Sequence, residues 1–156
     1  MIGEFPWKRD PRSSPPFRDL AACTQEFTIK ALTRRMRYFL GTLKPIASFE
    51  TMGKHFVACH AAPSYLRTPE KDLKHEVAIA GSPDFLLFGH THWPPLKTIG
   101  NTRMVNPGGL DQPKDGDSSA RSTVIQDGRV ELRRITYPID LIEAAYANIQ
   151  LAPTDV

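Results

Sequence analysis

His60, His90 and His92 are the residues whose type and spacing could do chemistry in this chain. His90 and His92 stand at i and i+2 in Gly89-His90-Thr91-His92, directly after the apolar run Phe85-Leu86-Leu87-Phe88. Side chains alternate in extended backbone, so residues two apart share a side. Neutral imidazole is the commonest protein ligand for transition metals, and two on one side of a strand end make half of a metal site. His60 follows a second apolar segment, His55-Phe56-Val57-Ala58-Cys59, and precedes Ala61-Ala62-Pro63, which breaks the ladder. In open α/β sheets, ligands bind beyond the carboxyl ends of the strands, where both segments place their histidines. An H-x-H alone also occurs on exposed strands and turns, so the third imidazole matters most.

Downstream, Thr102-Arg103-Met104-Val105 leads into Asn106-Pro107-Gly108-Gly109 and then Pro113-Lys114-Asp115-Gly116. In this order, from roughly Thr24 to Leu151, the motifs make the chain resemble the carboxyl-terminal half of calcineurin-like metallophosphoesterases, in their small bacterial and archaeal phosphodiesterase branch. The usual text there is V-H-G-S-P, G-H-T-H, N-P-G-S and P-R-D-G, so Ala61, Gly109 and Lys114 depart mildly. The resemblance implies an α/β fold, part of an α/β/β/α sandwich lacking its amino-terminal strands. It implies hydrolysis of phosphoric monoesters or diesters by a hydroxide bridging two divalent metals, which neutralise the phosphoryl charge. His60 and His90 would be ligands of one metal and His92 of the other; manganese, iron, zinc and nickel all suit imidazole. Asn106 would orient a ligand or face the phosphate, although Asn-Pro-Gly is also a common turn. Gly89 and Thr91 stand beside the ligands, Thr91 for packing or a supporting hydrogen bond, while Gly108 and Gly109 would let backbone approach the metals.

The family's amino-terminal motifs, D-x-H, G-D-x-x-D and G-N-H-D/E, have no counterpart in this sequence. Gly116-Asp117-Ser118-Ser119-Ala120 lacks the closing Asp and reads as a turn, and Gly100-Asn101-Thr102 reads as a hairpin turn. Three neutral imidazoles could hold at most one ion, with water in the open positions. The expected explanation is a truncated start, ahead of a partner chain supplying the missing half or a remnant that no longer catalyses; such a fragment alone is expected to be inactive. The alternative function is a noncatalytic scaffold or binding module that retains the fold. A third reading is a mononuclear zinc site of His60, His90 and His92.

The elements that must position these residues follow from pattern. At 156 residues the chain can bury one moderate core. Residues 1–22, with Pro6, Pro11, Pro15 and Pro16 among basic residues, read as a disordered or non-native tail, and 23–152 as the phosphoesterase part. Ile29, Leu32, Met36, Phe39 and Leu43 repeat at helical spacing, with Gly41 as the stop. Arg34, Arg35 and Arg37 then form its solvated face, a simpler account of the net charge of +3 than nucleic-acid binding.

Strands are expected at 46–50 and 55–59 around a Met52-Gly53 turn, at 85–88, 96–99 and 102–105, and at 122–126 and 130–135 around Asp127-Gly128. Helices are expected at 70–80 and from Tyr137 to Ala147. An exposed sheet edge through which copies could associate is a further expectation. Two cysteines without C-x-x-C spacing, and no apolar run long enough for a secretory signal or membrane span, point to a reducing cytoplasm and no membrane partner. Cys59 should point opposite to His60, into the core. His55 and His75 read as ordinary histidines, and Trp93 could stack on a nucleobase or cover the crevice wall.

Overall fold

The structure, a computed structural model, describes residues 15–61, 73–92, 96–111 and 113–147. Lys44–Tyr137 forms one compact unit. It begins with β1 (Ile46–Thr51) and β2 (Lys54–Cys59), an antiparallel hairpin closed at Met52-Gly53. Both turn residues have positive φ, 52° and 63°, the backbone twist that suits a two-residue hairpin. Then come α3 (Leu73–Ile79), β3 (Phe85–Phe88), β4 (Leu96–Ile99) and β5 (Thr102–Val105). β2, β3 and β5 run parallel, and β4 pairs antiparallel with β5, giving the order β1-β2-β3-β5-β4. β6 (Ala120–Gln126) and β7 (Arg129–Ile135) form a separate antiparallel pair around Asp127-Gly128.

The parallel strands are short apolar runs because both of their faces are covered. Val57, Leu86 and Met104 gather on one face with Val77 of α3, flanked by Leu73 and Ala80. Phe56, Phe85 and Val105, their chain neighbours, point the other way against Ile125 and Val130 of the β6–β7 pair. Helix, sheet and hairpin thus stack as layers within this unit. On the hairpin side Phe49, Phe56 and Phe85 stack nearly parallel, with centroids 5.4 and 4.8 Å apart. The amino-terminal ends of the strands are stitched by Pro83-Asp84. The Asp84 carboxylate accepts from the His55 N–H at 2.9 Å and from Lys54 Nζ at 3.0 Å. Its carbonyl accepts from Arg103 N at 2.8 Å, and the Pro83 carbonyl accepts from the Thr102 hydroxyl.

α1 (Pro15–Ala31), α2 (Arg34–Thr42) and α4 (Ile139–Ala147) fall in a second unit. α1 opens on a proline, which suits the first helical turn, so residues 15–22 are helical where an extended tail was expected. The single helix expected through Leu43 is instead broken at Thr33. This residue is extended, with φ −65° and ψ 161°, and its side chain accepts from Met36 N at 3.3 Å, which starts a new helix. Gly41 lies inside α2, which ends at Thr42 with the extended Leu43 as its cap. No residue of α2 is buried, so Met36 and Phe39 share the exposure of Arg34 and Arg35.

Candidate functional site

Because β2, β3 and β5 are parallel, their carboxyl ends share one edge, and His60, Gly89–His92 and Asn106–Gly109 emerge there together. The β2–β3 ladder continues one step past the strands, with Gly89 N donating to the His60 carbonyl at 3.0 Å. This draws the His60 and His90 rings to a centroid separation of 5.2 Å, edge to face at 72°. His92 lines the same cleft.

The histidine segment itself is not extended, contrary to the alternation from which a shared side was expected. β3 stops at Phe88, and His90 and His92 both have left-handed backbone, φ 68° and 57°. Thr91 N donates to the Gly89 carbonyl at 2.8 Å, closing a three-residue turn on His90. Left-handed backbone costs a non-glycine residue about 1 kcal/mol or more, so this turn persists only because its surroundings hold it.

Asn106 does the holding. It is fully buried, and its Nδ2 donates at 3.0 Å both to the Gly89 carbonyl and to the Thr91 hydroxyl. Its Oδ1 accepts from Gly108 N at 2.9 Å, the turn expected of Asn-Pro-Gly. With both amide hydrogens committed, Asn106 ties the histidine loop to the end of β5. The Thr91 hydroxyl takes part as the acceptor of the second bond.

The cleft has a volume of about 540 Å³. The three histidines line it, together with an apolar wall of Leu87, Val105, Pro107, Leu110 and Ile125. Two imidazoles on one ion at about 2.1 Å and a tetrahedral angle set their ring centres about 5 Å apart, and the His60–His90 pair matches this spacing. Among the described residues, no group of three His, Cys, Asp or Glu side chains converges to hold a metal. The described residues thus offer two imidazoles at a spacing that one ion could bridge, with His92 lining the same cleft but in no such cluster.

Sequence reasoning missed Arg121 of β6, which lines the same cleft. Gly108, at φ +90°, has no room for a side chain, since a Cβ there would lie 2.6 Å from Arg121 Cδ. The missing Cβ thus makes room for the arginine stem, where an approach of backbone to metals was expected. The guanidinium pairs with Asp115, which Arg134 also pairs with, and Arg134 reaches Asp117 at 2.7 Å and the Ser119 hydroxyl at 3.0 Å. The turn expected at Gly116-Asp117-Ser118-Ser119-Ala120 gave no sign of these arginines, which meet Asp115 and Asp117 through the tertiary fold. That turn is present, with Asp117 accepting from the Ser119 hydroxyl at 2.7 Å and from Ser119 N at 2.9 Å; these two bonds in that order, and then Arg134, hold its carboxyl below the usual range.

Cys59, His55 and His75, the other candidates among the described residues, are not part of the cleft's lining. Cys59 packs on the helix side of the sheet, opposite to His60, and burial first and Glu76 second push its thiol pKa up. His55 Nε2 lies 2.8 Å from the Ser48 hydroxyl, and His75 is exposed. Trp93 lies outside the described residues. No described helix is long and apolar enough to cross a membrane.

The profile of the calcineurin-like phosphoesterase superfamily domain matches residues 26–127. Among solved structures, a hypothetical protein from Pyrococcus horikoshii is similar with a TM-score of 0.74 and 16% identity, over 92% of this chain and 64% of that one. The chain thus spans less than two thirds of that structure's length. A single mutant of Vps29 from Entamoeba histolytica is similar with a TM-score of 0.46 and 18% identity, over 62% of this chain and 63% of that one. An archaeal phosphodiesterase is similar with a TM-score of 0.41 and 19% identity, over 58% of this chain and 50% of that one. No curated protein sequence matches the chain.

Proposed function

Because this chain belongs to the calcineurin-like phosphoesterase superfamily, we propose that it is the histidine-bearing part of a metal-dependent phosphoesterase, acting on phosphoric monoesters or diesters. The observation that carries this reading is the His60–His90 pair, 5.2 Å apart at the ends of adjacent parallel strands. In this reading His60 and His90 hold one divalent ion, and His92 serves a second from the same cleft. An ion bound there would supply charge neutralisation at the phosphoryl oxygens and a water acidic enough to act as nucleophile near neutral pH. The chain's own residues do the rest. Asn106 fixes the loop that presents His90 and His92, and the apolar wall excludes water from one side of the ester. The carboxylates that would complete a two-metal centre belong to family motifs that this sequence does not contain.

The test is metal retention. The chain, stripped with a chelator and reloaded separately with manganese and zinc, is expected to keep an ion through gel filtration, and His90→Ala to lose it by roughly tenfold or more in affinity. Hydrolysis of bis-p-nitrophenyl phosphate would then be assayed with the reloaded protein. Equal retention by His90→Ala and the unaltered chain would sink the assignment.

A second reading, a noncatalytic scaffold that retains the fold, is favoured by one observation: no third donor converges with the histidine pair among the described residues. Ion retention with no hydrolysis, even when the family's amino-terminal motifs are supplied on a longer chain, would support it over the enzyme.

A further inference from the structure

Among the described residues lining the cleft, Arg121 is the only Lys or Arg, and the histidine chemistry leaves it without a task. Its side chain is only 13% exposed and is fixed at several points. The stem fills the space over Gly108, the guanidinium is clamped by Asp115, and its main-chain N–H donates to the Gly109 carbonyl at 3.0 Å. An arginine held this way has little side-chain freedom left to lose when a ligand arrives.

Two polar atoms of this wall are buried without a hydrogen-bond partner, Arg121 Nε and the Thr123 hydroxyl. They lie two residues apart on β6, hence on the same side of the strand, and both residues line the cleft. Buried donors without acceptors are rare because each carries an uncompensated desolvation cost. A guanidinium of which Asp115 takes only the Nη2 corner, beside a hydroxyl, suits the oxygens of a phosphoryl group, to which its remaining N–H groups can donate charge-assisted bonds. The neighbouring surface is apolar, so it suits an organic group without hydroxyls.

We propose that Arg121, with Thr123, is an anion-gripping subsite of the histidine cleft, and that it selects phosphate esters whose organic part is apolar or aromatic and lies against Leu87, Val105 and Ile125. The ester class rests on the phosphoesterase reading; the grip on the anion stands without it.

The probe is phenyl phosphate, titrated calorimetrically into the full chain in the presence of a chelator. The unaltered chain is expected to bind it without metal, and more tightly than inorganic phosphate. Arg121→Gln is expected to weaken binding about tenfold or more, the effect of losing a charge-assisted contact. Because that change also removes one of the two arginine partners of Asp115, thermal melting accompanies it. Arg121→Lys, which keeps the charge and the Asp115 pairing but not the planar fork, serves if the glutamine variant does not fold, and is also expected to bind more weakly. His75→Ala, an exposed position on α3 away from the cleft, is expected to bind phenyl phosphate as the unaltered chain does. Unchanged affinity in a folded Arg121 variant, or no binding by the unaltered chain, overturns the subsite. Equal affinity for inorganic phosphate and phenyl phosphate overturns the ester selectivity. A chain that binds phenyl phosphate yet retains no metal would end the metal reading and leave Arg121 in its place.

Discussion

At Asn106, both carboxamide hydrogens and the carboxamide oxygen are committed to the loops that carry the histidines. Asn106→Ala would strand the half-buried Gly108 N–H and Gly89 carbonyl. The expected loss of stability is about 2–4 kcal/mol, read by urea unfolding, with weakened ion retention alongside it. A loss below about 0.5 kcal/mol would remove Asn106 from this role. The histidines and Asn106 were legible in the sequence because they sit in short motifs at strand ends. The route by which His90 and His92 reach the cleft was not: i, i+2 spacing satisfies a strand and a tight turn alike, and only φ tells them apart. Arg121 was hidden for a different reason. Its partners, Gly108 and Asp115, meet it through tertiary folding, and no local period records such a contact.

Among the elements, the junction at Asp84 ties β2 to β3 and gives a pH signature. The His55 N–H first and Lys54 second hold its carboxyl below the usual carboxylate range. Its contribution is therefore present above the unfolded carboxylate pKa, about 4, and is lost as pH falls through the lower folded value. Asp84→Asn should be less stable than the unaltered chain at neutral pH, with the gap closing below about pH 4 in chemical unfolding. A gap that widens toward low pH would contradict this. The β1–β2 turn offers the opposite kind of change. Met52 occupies a left-handed position where asparagine is preferred, so Met52→Asn should raise stability by about 0.5–1 kcal/mol in thermal unfolding. Strands and hairpins were readable because short apolar runs alternate with two-residue turns at Met52-Gly53, Gly100-Asn101 and Asp127-Gly128. The break at Thr33 was not, because the apolar spacing of Ile29, Leu32, Met36 and Phe39 runs straight across a capping residue.

For the molecule as a whole, stability is concentrated where both sheet faces are covered. Leu86 and Met104 are almost fully buried, whereas every residue of β1 is exposed and α2 buries none. Hydrogen exchange should therefore find the slowest amides in β2, β3 and β5, and much faster exchange in α2. Equal protection throughout would mean that these elements are held by contacts other than the core described. The turn at His90 sits at the rim of that slow region and in a left-handed conformation that costs any side chain more than it costs glycine. Glycine accepts that conformation readily, so His90→Gly is expected to raise the melting temperature by a few degrees, about 2–4 °C, while abolishing ion capture. A protein made hardier by deleting its own ligand would show which of two demands, durability or reactivity, had governed the choice of residue there.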